Sequence, residues 1–371
     1  MKLAFLAGAN SIHSVRWIKY FADLPAQTGR GHEIIWISLA PPIDEAQGLI
    51  KKVNFYELKP SPLSDINGPF AIRYLPFAVG QLKKILKSNA PDLIHVHSAG
   101  TYGLVGTLAN FHPLVLTPWG TDILLTSALK KPLVKFIVKN ADAFTCDGEN
   151  TFKKLAELGA DKNKIHLIRF GTDVEKFKPA THYKLQTKNY KIISLRSLEP
   201  VYDIETLIKA AAIVAGENQN IEFLIAGGGG ERKRLEQMAN GLGLIERGRV
   251  KFIGQIRNDL LPGYLQSADI YVSTALSDSG LSASTAEAMA TGLPTIVTNT
   301  GDNKDWVDNE FVIPVKSPEA LAEKITSFIK NEKIRKIQGG RNRQIIEEKN
   351  NYYVEMTKIE KIYEQLALGN F

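Results

Sequence analysis

Residues 270–298 read IYVSTALSDSGLSASTAEAMATGLPTIVT, and this stretch holds the pattern that decides the fold. An apolar strand is followed by a loop of small residues, an alanine-rich helix, and a second apolar strand that begins after Pro294. A strand, a helix and a second strand in this order form a βαβ unit, whose strands pair in parallel. The stretch therefore predicts an α/β fold and leaves open what the uncovered backbone of the loop binds.

The same alternation of short apolar runs and helical patterns extends along the whole chain, with predicted helices at 203–215, 230–242 and 317–330. Many of the strands lack a polar face, as is typical of parallel sheets that helices cover on both sides. Two such series predict two doubly wound domains. The predicted segments are an N-terminal domain over 1–170, a linker over 171–190, a second domain over 191–349 and a C-terminal helix over 350–371.

Length and composition agree with two domains and exclude several classes of protein. A chain of 371 residues exceeds what one compact core usually holds. The one cysteine, Cys146, excludes an internal disulfide framework, fits a reducing cytoplasm and is interpreted as core packing. No apolar run reaches the roughly 18 residues of a membrane span. The net charge of +7 suits phosphate-bearing ligands or an anionic membrane surface, and equally an ordinary basic protein.

In open parallel sheets, ligands bind beyond the carboxyl ends of the strands. Five places are predicted at that edge, and they span 8–13, 95–100, 119–122, 227–232 and 277–298. In the last of them, small residues leave the N–H groups of a helix N-terminus near 282–284 uncovered, as suits a phosphate. Alternatively, Ser284 and Glu287 match a capping box, in which the glutamate merely caps its own helix.

The stretch STAEAMATGLPTIVT resembles the Glu-Ala-Met-Ala-x-Gly-x-Pro signature of retaining, nucleotide-sugar-dependent glycosyltransferases of family 4. Further motifs follow that family's order: the glycine-containing first turn, PDLIHVHSAG, TPWGTD, IRFGTDVEKFKP, SLRSLEP, AGGGGERKRLE and VKFIGQI. The resemblance implies a GT-B fold: two Rossmann-like domains that face a cleft, the first for the acceptor and the second for the donor. It also implies that the last helix returns to the first domain.

The resemblance also implies roles for particular residues. Arg196 would bind the diphosphate, Glu287 the ribose hydroxyls, and His97 would line the cleft beside the sugar. The implied catalytic set is His97, Arg196, Asp278 and Ser279. The implied set of donor-binding residues is Gly8, Asn10, Gly228, Arg232, Gly254, Ile256, Gly280, Leu281, Ser282 and Glu287.

The chain departs from the family pattern at two positions. The family has a glutamate eight residues before the one that is Glu287 here; this chain has Ser279, preceded by Asp278. Either residue could take over the contact with the donor sugar. The family also pairs the arginine with a lysine about six residues later, where Tyr202 is nearest. The diphosphate would therefore lack one cation, which Arg232 is a candidate to supply.

The sequence predicts neither a metal nor a separate cofactor. It contains no Asp-x-Asp, so cations and N–H groups would stabilise the leaving diphosphate. His95 and His97 share one face of a strand, and no third His, Cys or carboxylate near them in sequence lies on that face. By resemblance, retention follows from front-face attack, in which the leaving phosphate oxygen takes the acceptor's proton.

The expected substrates are a nucleoside-diphosphate sugar, with uridine as the favoured base, and a glycan or lipid-linked acceptor in bacterial-type polysaccharide synthesis. No nucleic acid partner is expected. Residues 124–142 mix four lysines with large apolar side chains, which suits either contact with the inner face of an anionic membrane or an ordinary solvated helix. The alternatives are a nucleotide-sugar epimerase and a non-catalytic nucleotide-sugar-binding protein. A dinucleotide dehydrogenase is disfavoured, because Gly-x-Gly-x-x-Gly is absent after the first strand.

Overall fold

A computed structural model describes residues 1–24, 31–58, 74–169, 171–180, 189–278 and 280–369. The chain forms two compact units. Unit 1 comprises Met1–Arg169 and Met356–Phe371, and unit 2 comprises Phe170–Glu355. In the described part of the chain, no helix has both the length and the apolar character needed to cross a bilayer.

Unit 1 contains a parallel sheet of seven strands in the order β3-β2-β1-β4-β5-β6-β7. Its strands are Lys2–Leu6 (β1), Glu33–Ser38 (β2), Asn54–Glu57 (β3), Leu93–His97 (β4), Leu114–Thr117 (β5), Ala143–Cys146 (β6) and Ile165–Leu167 (β7). Its helices are Ile12–Asp23 (α1), Asp44–Ile50 (α2), Leu75–Asn89 (α3), Thr101–Ala109 (α4), Thr121–Leu124 (α5), Lys131–Lys139 (α6) and Glu149–Leu158 (α7).

Unit 2 contains a parallel sheet of six strands in the order β10-β9-β8-β11-β12-β13. Its strands are Tyr190–Ser194 (β8), Ile221–Ala226 (β9), Val250–Gly254 (β10), Ile270–Ser273 (β11), Thr295–Thr298 (β12) and Val312–Ile313 (β13). Its helices are Ile204–Glu217 (α8), Arg232–Gly241 (α9), Leu261–Ser267 (α10), Ala283–Ala290 (α11), Asn303–Trp306 (α12), Pro318–Lys330 (α13) and Glu332–Lys349 (α14).

Both sheets have the doubly wound order, in which the first strand of the unit lies inside the sheet and the chain proceeds outward from it in both directions. The predicted α/β fold of two Rossmann-like units is confirmed. In unit 1 the direction reverses between β1 and β4, and in unit 2 it reverses between β8 and β11. Ligands of such sheets bind in the crevice at this reversal, outside the carboxyl ends of the strands.

The stretch 171–190, predicted as a linker, is partly packed into unit 2. Residues 181–188 lie outside the described residues, but Val174 and Phe177 before them are buried in the hydrophobic core of unit 2. Thr172 bridges Asn351 through the backbone. Two apolar side chains among many polar ones have no periodicity, which is why the sequence does not reveal their anchoring role.

The last helix, Tyr352–Ala367 (α15), begins in unit 2 and continues into unit 1 at Met356. Its apolar stripe is buried from Met356 through Ile359 and Tyr363 to Leu366. Tyr353, three residues before Met356, is exposed instead. It lies in the first turn of the helix, before the part that belongs to unit 1.

Candidate functional site

In unit 2, the loops that follow β8 and β11 are joined by hydrogen bonds at the point where the strand order reverses. Thr274 Oγ1 donates to the carbonyl of Tyr202 at 3.0 Å, and Leu276 N donates to the carbonyl of Val201 at 2.8 Å. The two loops therefore form one connected surface at the carboxyl edge of the sheet, where a ligand is expected.

Arg196, the predicted phosphate ligand, lies on this surface and is only 7 % exposed. Its Nη2 donates to Oδ1 of Asp278 at 2.5 Å, and its guanidinium carbon lies 4.3 Å from the centre of the Tyr202 ring. Burial raises the pKa of Asp278, and the Arg196 guanidinium opposes that shift. We treat the pair as ionised, because a carboxylate in direct contact with a guanidinium is favoured in its charged form.

The two departures from the family pattern thus meet at one side chain. Asp278 is adjacent to the position where the family has a glutamate, and Tyr202 is nearest to the position where the family has a lysine. Both side chains contact Arg196. Ser279, predicted as a catalytic residue, lies outside the described residues. Arg196 and Asp278 are 82 residues apart in the chain, so no local sequence pattern predicts their contact.

The glycine run 227–230 has a structural role as well as an open surface. A Cβ at Gly227 would lie 2.5 Å from the carbonyl oxygen of Arg196, and one at Gly229 would lie 2.3 Å from that of Leu198. Both glycines have positive φ, which other residues rarely adopt. These two let the loops pack closely, whereas Gly228, the predicted ligand, is exposed with open space where its Cβ would be.

The capping box that was the alternative reading of Ser284 and Glu287 is not formed in α11. Ser282, not Ser284, is the N-cap residue, and its hydroxyl accepts a hydrogen bond from the N–H of Thr285. Glu287 therefore lies too far along the helix to cap it, and its side chain is only 5 % exposed. The alternative to a ligand role, that this glutamate caps its own helix, is removed by the position of the cap.

The remaining predicted donor ligands of unit 2 surround the same edge of the sheet. Arg232 begins α9 and pairs with Glu236 of its own helix at 2.8 Å, so it is already neutralised in part. Its Nη1 lies 3.6 Å from the position of a Cβ on Gly254, at the end of β10. The others are Ile256, half-buried after β10, and Gly280 and Leu281, both buried just before the α11 cap.

In unit 1, the loop after β1 is compact rather than open. A Cβ on Gly8 would lie 2.7 Å from Asn10 Oδ1 and 3.2 Å from the Tyr102 hydroxyl. The N–H of Ala9 donates to Ser38 Oγ at 2.9 Å. Asn10 is exposed at the tip of the loop. Of the two predicted ligands in this turn, Asn10 is accessible, while Gly8 allows close packing.

His97 ends β4 and is only 1 % exposed. Its Nδ1 lies 3.1 Å from the Ser14 hydroxyl, while its Nε2 is buried and has no hydrogen-bond partner among the described residues. Burial, and then the nearby His13, lower the pKa of His97 to about 3. The ring is therefore neutral at physiological pH and offers one uncommitted nitrogen, rather than a positive charge, to a ligand.

Behind His97 lies a buried network that the sequence does not reveal. His95 Nε2 hydrogen-bonds Thr117 Oγ1 at 2.6 Å, and its Nδ1 contacts the hydroxyl of Tyr363 in α15. Trp17 of α1 donates to the same hydroxyl at 3.3 Å. The hydrogen bonds hold His95, and the Trp17 ring also contacts the ring of His97. Across the described ranges of the chain, no three His, Cys, Asp or Glu side chains are grouped so that they could hold a metal ion.

Asp122, in the motif TPWGTD, has a structural role that the motif alone does not indicate. Its Oδ2 accepts from the N–H of Ala99 at 2.7 Å and its Oδ1 from that of Trp119 at 3.0 Å. The loops after β4 and β5 are thus tied together by one half-buried carboxylate. A carboxylate three residues after Trp119 is a local turn signal, but its bond to Ala99 is visible only in the structure.

Two family models match the chain. The model described as glycosyl transferases group 1 matches residues 176–345, and the one described as glycosyl transferase 4-like matches residues 2–148. A curated relative, the UDP-Gal:alpha-D-GlcNAc-diphosphoundecaprenol alpha-1,3-galactosyltransferase of Escherichia coli, is 28 % identical over 62 % of this chain. The match covers 63 % of that relative, so the chain spans less than two thirds of its length.

Solved structures show the same fold. Sucrose-phosphate synthase from Thermosynechococcus elongatus superposes with a TM-score of 0.83 and 18 % identity, over 100 % of both chains. HepE of Anabaena, solved in complex with UDP and glucose, gives a TM-score of 0.80 and 18 % identity, over 98 % of this chain and 99 % of that one. Both units therefore have counterparts in known two-domain proteins of the GT-B fold.

Proposed function

This chain belongs to the glycosyltransferases of the GT-B fold and family 4 type, and from that premise we propose that it transfers a sugar, with retention, from a UDP-sugar to a glycan or lipid-linked acceptor in polysaccharide synthesis. Support for uridine comes from similar proteins: the E. coli relative is named for UDP-Gal, and HepE was solved with UDP. Support for a lipid-linked acceptor comes from the diphosphoundecaprenol in the name of that relative.

The observation that carries the proposal is the position of Arg196. A buried guanidinium stands at the carboxyl edge of β8, where the strand order reverses, beside loops that end at the N-terminus of α11. A guanidinium fork matches phosphate geometry, and a helix N-terminus favours negative charge. Charge that develops on a leaving diphosphate would be stabilised there without a metal or a separate cofactor. Glu287, which does not cap α11, would accept hydrogen bonds from the ribose.

The proposal is tested by sugar transfer in the presence of a chelator. With UDP-galactose or UDP-glucose labelled in the sugar and a GlcNAc-diphosphopolyprenol acceptor, we expect label to reach the acceptor at the same rate with or without excess EDTA. Loss of transfer in EDTA with recovery on Mn²⁺ would overturn metal independence. Interconversion of the donor sugar alone would indicate an epimerase, and tight binding without transfer would indicate a non-catalytic nucleotide-sugar protein.

We further propose that unit 1 contacts the inner face of an anionic membrane through residues 125–139. Leu129 is 94 % exposed, and Leu125, Leu133 and Phe136 are also exposed. Val134, Ile137 and Val138 form the buried side of α6, whereas Leu133 and Phe136 of the same helix are exposed, and Leu125 and Leu129 precede the helix. Between Ile123 and Ala141 there are four lysines and no acidic residue, which suits anionic lipid.

We expect the protein to bind vesicles of phosphatidylcholine mixed with phosphatidylglycerol, and to bind pure phosphatidylcholine poorly. Each lysine near the surface is worth about 1 kcal/mol, so binding should weaken with salt. Leu129→Glu combined with Phe136→Glu should abolish sedimentation with the vesicles. The control is Leu260→Glu, at an exposed leucine of unit 2. Equal binding to the two kinds of vesicle would contradict membrane contact. So would a dimer that persists at high salt and that the double variant dissociates.

A further inference from the structure

Arg196 and Asp278 neutralise each other at the place where the diphosphate of the donor is proposed to bind. The side chains are 7 % and 10 % exposed, and the bond between them is 2.5 Å long. We propose that this pair is exchanged when the donor binds: Arg196 turns to the diphosphate and Asp278 to hydroxyls of the sugar. The inference rests on the proposed function and names the part of the donor that the site selects.

The geometry leaves each partner able to accept a second ligand. Within the described residues, Nη2 is the one guanidinium nitrogen of Arg196 that hydrogen-bonds, and Oδ1 is the one carboxylate oxygen of Asp278 that does so. Tyr202 holds the plane of the guanidinium by stacking at 4.3 Å. The Arg196 guanidinium is thus already oriented and has N–H groups that make no hydrogen bond with the described residues, as a bidentate phosphate contact requires.

The loops that hold the pair are firmly supported. A Cβ on Gly301 would lie 2.9 Å from the carbonyl oxygen of Gly280 and 3.0 Å from that of Asp278. Leu276 is bonded to Val201 at 2.8 Å, so the Asp278 loop is tied to the loop that follows Arg196. A ligand therefore meets a carboxylate and a guanidinium that are already paired, and it must separate or share them.

The side chains of Arg196 and Asp278 bind opposite kinds of ligand group. A guanidinium only donates hydrogen bonds and favours anions, whereas an ionised carboxylate only accepts them and favours hydroxyl groups. A nucleoside-diphosphate sugar offers both at once, because its anionic diphosphate is joined directly to a ring bearing hydroxyls. A nucleoside diphosphate without the sugar satisfies Arg196 alone. It leaves Asp278 buried beside added negative charge, which is unfavourable.

The pair should therefore favour the sugar-bearing donor over the bare diphosphate, and removal of the Asp278 charge should erase that preference. In Asp278→Asn, we expect calorimetric titration to show UDP bound about tenfold more tightly than by the wild type, because Arg196 no longer shares its charge. The affinity for UDP-galactose should rise less than the affinity for UDP, or fall, since asparagine holds sugar hydroxyls less well than a carboxylate. The matched control is Glu347→Gln, which breaks the Arg343–Glu347 pair of the same unit and should leave both affinities unchanged.

The outcomes separate this inference from the proposed function. Wild-type protein that binds neither UDP, UDP-galactose nor UDP-glucose would refute the proposed function itself. UDP affinity that is unchanged or weaker in a folded Asp278→Asn protein would overturn the exchange and indicate that Asp278 only positions Arg196. If the asparagine variant folds poorly, Asp278→Ala removes the same charge and is judged by the same two affinities.

Discussion

Arg196→Gln is expected to lower the free energy of unfolding of unit 2 by about 3–5 kcal/mol, the usual cost of removing one partner of a buried ion pair. The loss arises because the Asp278 carboxylate, only 10 % exposed, is left without its counter-charge. Equilibrium denaturation in urea, followed by circular dichroism, measures it. Since the guanidinium is also the proposed phosphate ligand, the same variant should lose UDP binding.

A double-mutant cycle identifies the cause. In Arg196→Gln/Asp278→Asn no charge is left uncompensated, so most of the lost stability should return while UDP binding stays weak. Arg257→Gln is the control, because its pair with Asp259 is exposed to solvent and should contribute little. If the double variant were as unstable as the single one, the destabilisation would come from lost stacking on Tyr202 rather than from the unpaired carboxylate.

Glu287→Gln should weaken UDP binding by roughly 1.5–3 kcal/mol, the typical worth of a hydrogen bond to a charged group. Glutamine has nearly the same shape, so the change removes charge without opening a cavity. The helix start is untouched, because Ser282 supplies the cap. Titration of UDP, and of UMP to show that the loss lies on the nucleoside side, measures the effect.

The control for this variant is Glu222→Gln, at another buried glutamate of unit 2, in β9. Its UDP affinity should equal that of the wild type. Unchanged affinity in Glu287→Gln together with a lower melting temperature would show that the buried glutamate supports the packing of α11 and does not bind the ribose.

Local and periodic features of the chain are predictable from its sequence. The predicted helices at 203–215, 230–242 and 317–330 are Ile204–Glu217, Arg232–Gly241 and Pro318–Lys330 in the structure. Parallel pairing and doubly wound order follow from buried strands that alternate with helices. The family motifs add the choice of fold, because their order along the chain is more specific than any single pattern.

What the sequence could not supply depends on contacts between distant residues. The pairing of Arg196 with Asp278 joins two loops that only the finished sheet brings together. The alternative of a capping box fails for a different reason: Ser282 and Ser284 both fit the composition of a cap, and only the backbone conformation at Ser282 distinguishes them. The burial of His97 likewise results from Trp17 and from neighbours outside its own strand.

The hydrogen bonds of the Tyr363 hydroxyl affect the order in which the two units can complete their folding during synthesis. It is buried in unit 1 and hydrogen-bonds Trp17 and His95, which precede it by 346 and 268 residues. A nascent chain exposes domains to folding in the order of synthesis. Unit 2 has all of its residues once Glu355 has left the ribosome, while unit 1, begun first, still lacks part of its core. The first domain to be translated is therefore the last to be completed, and its aromatic core must wait, incompletely packed, for the arrival of α15.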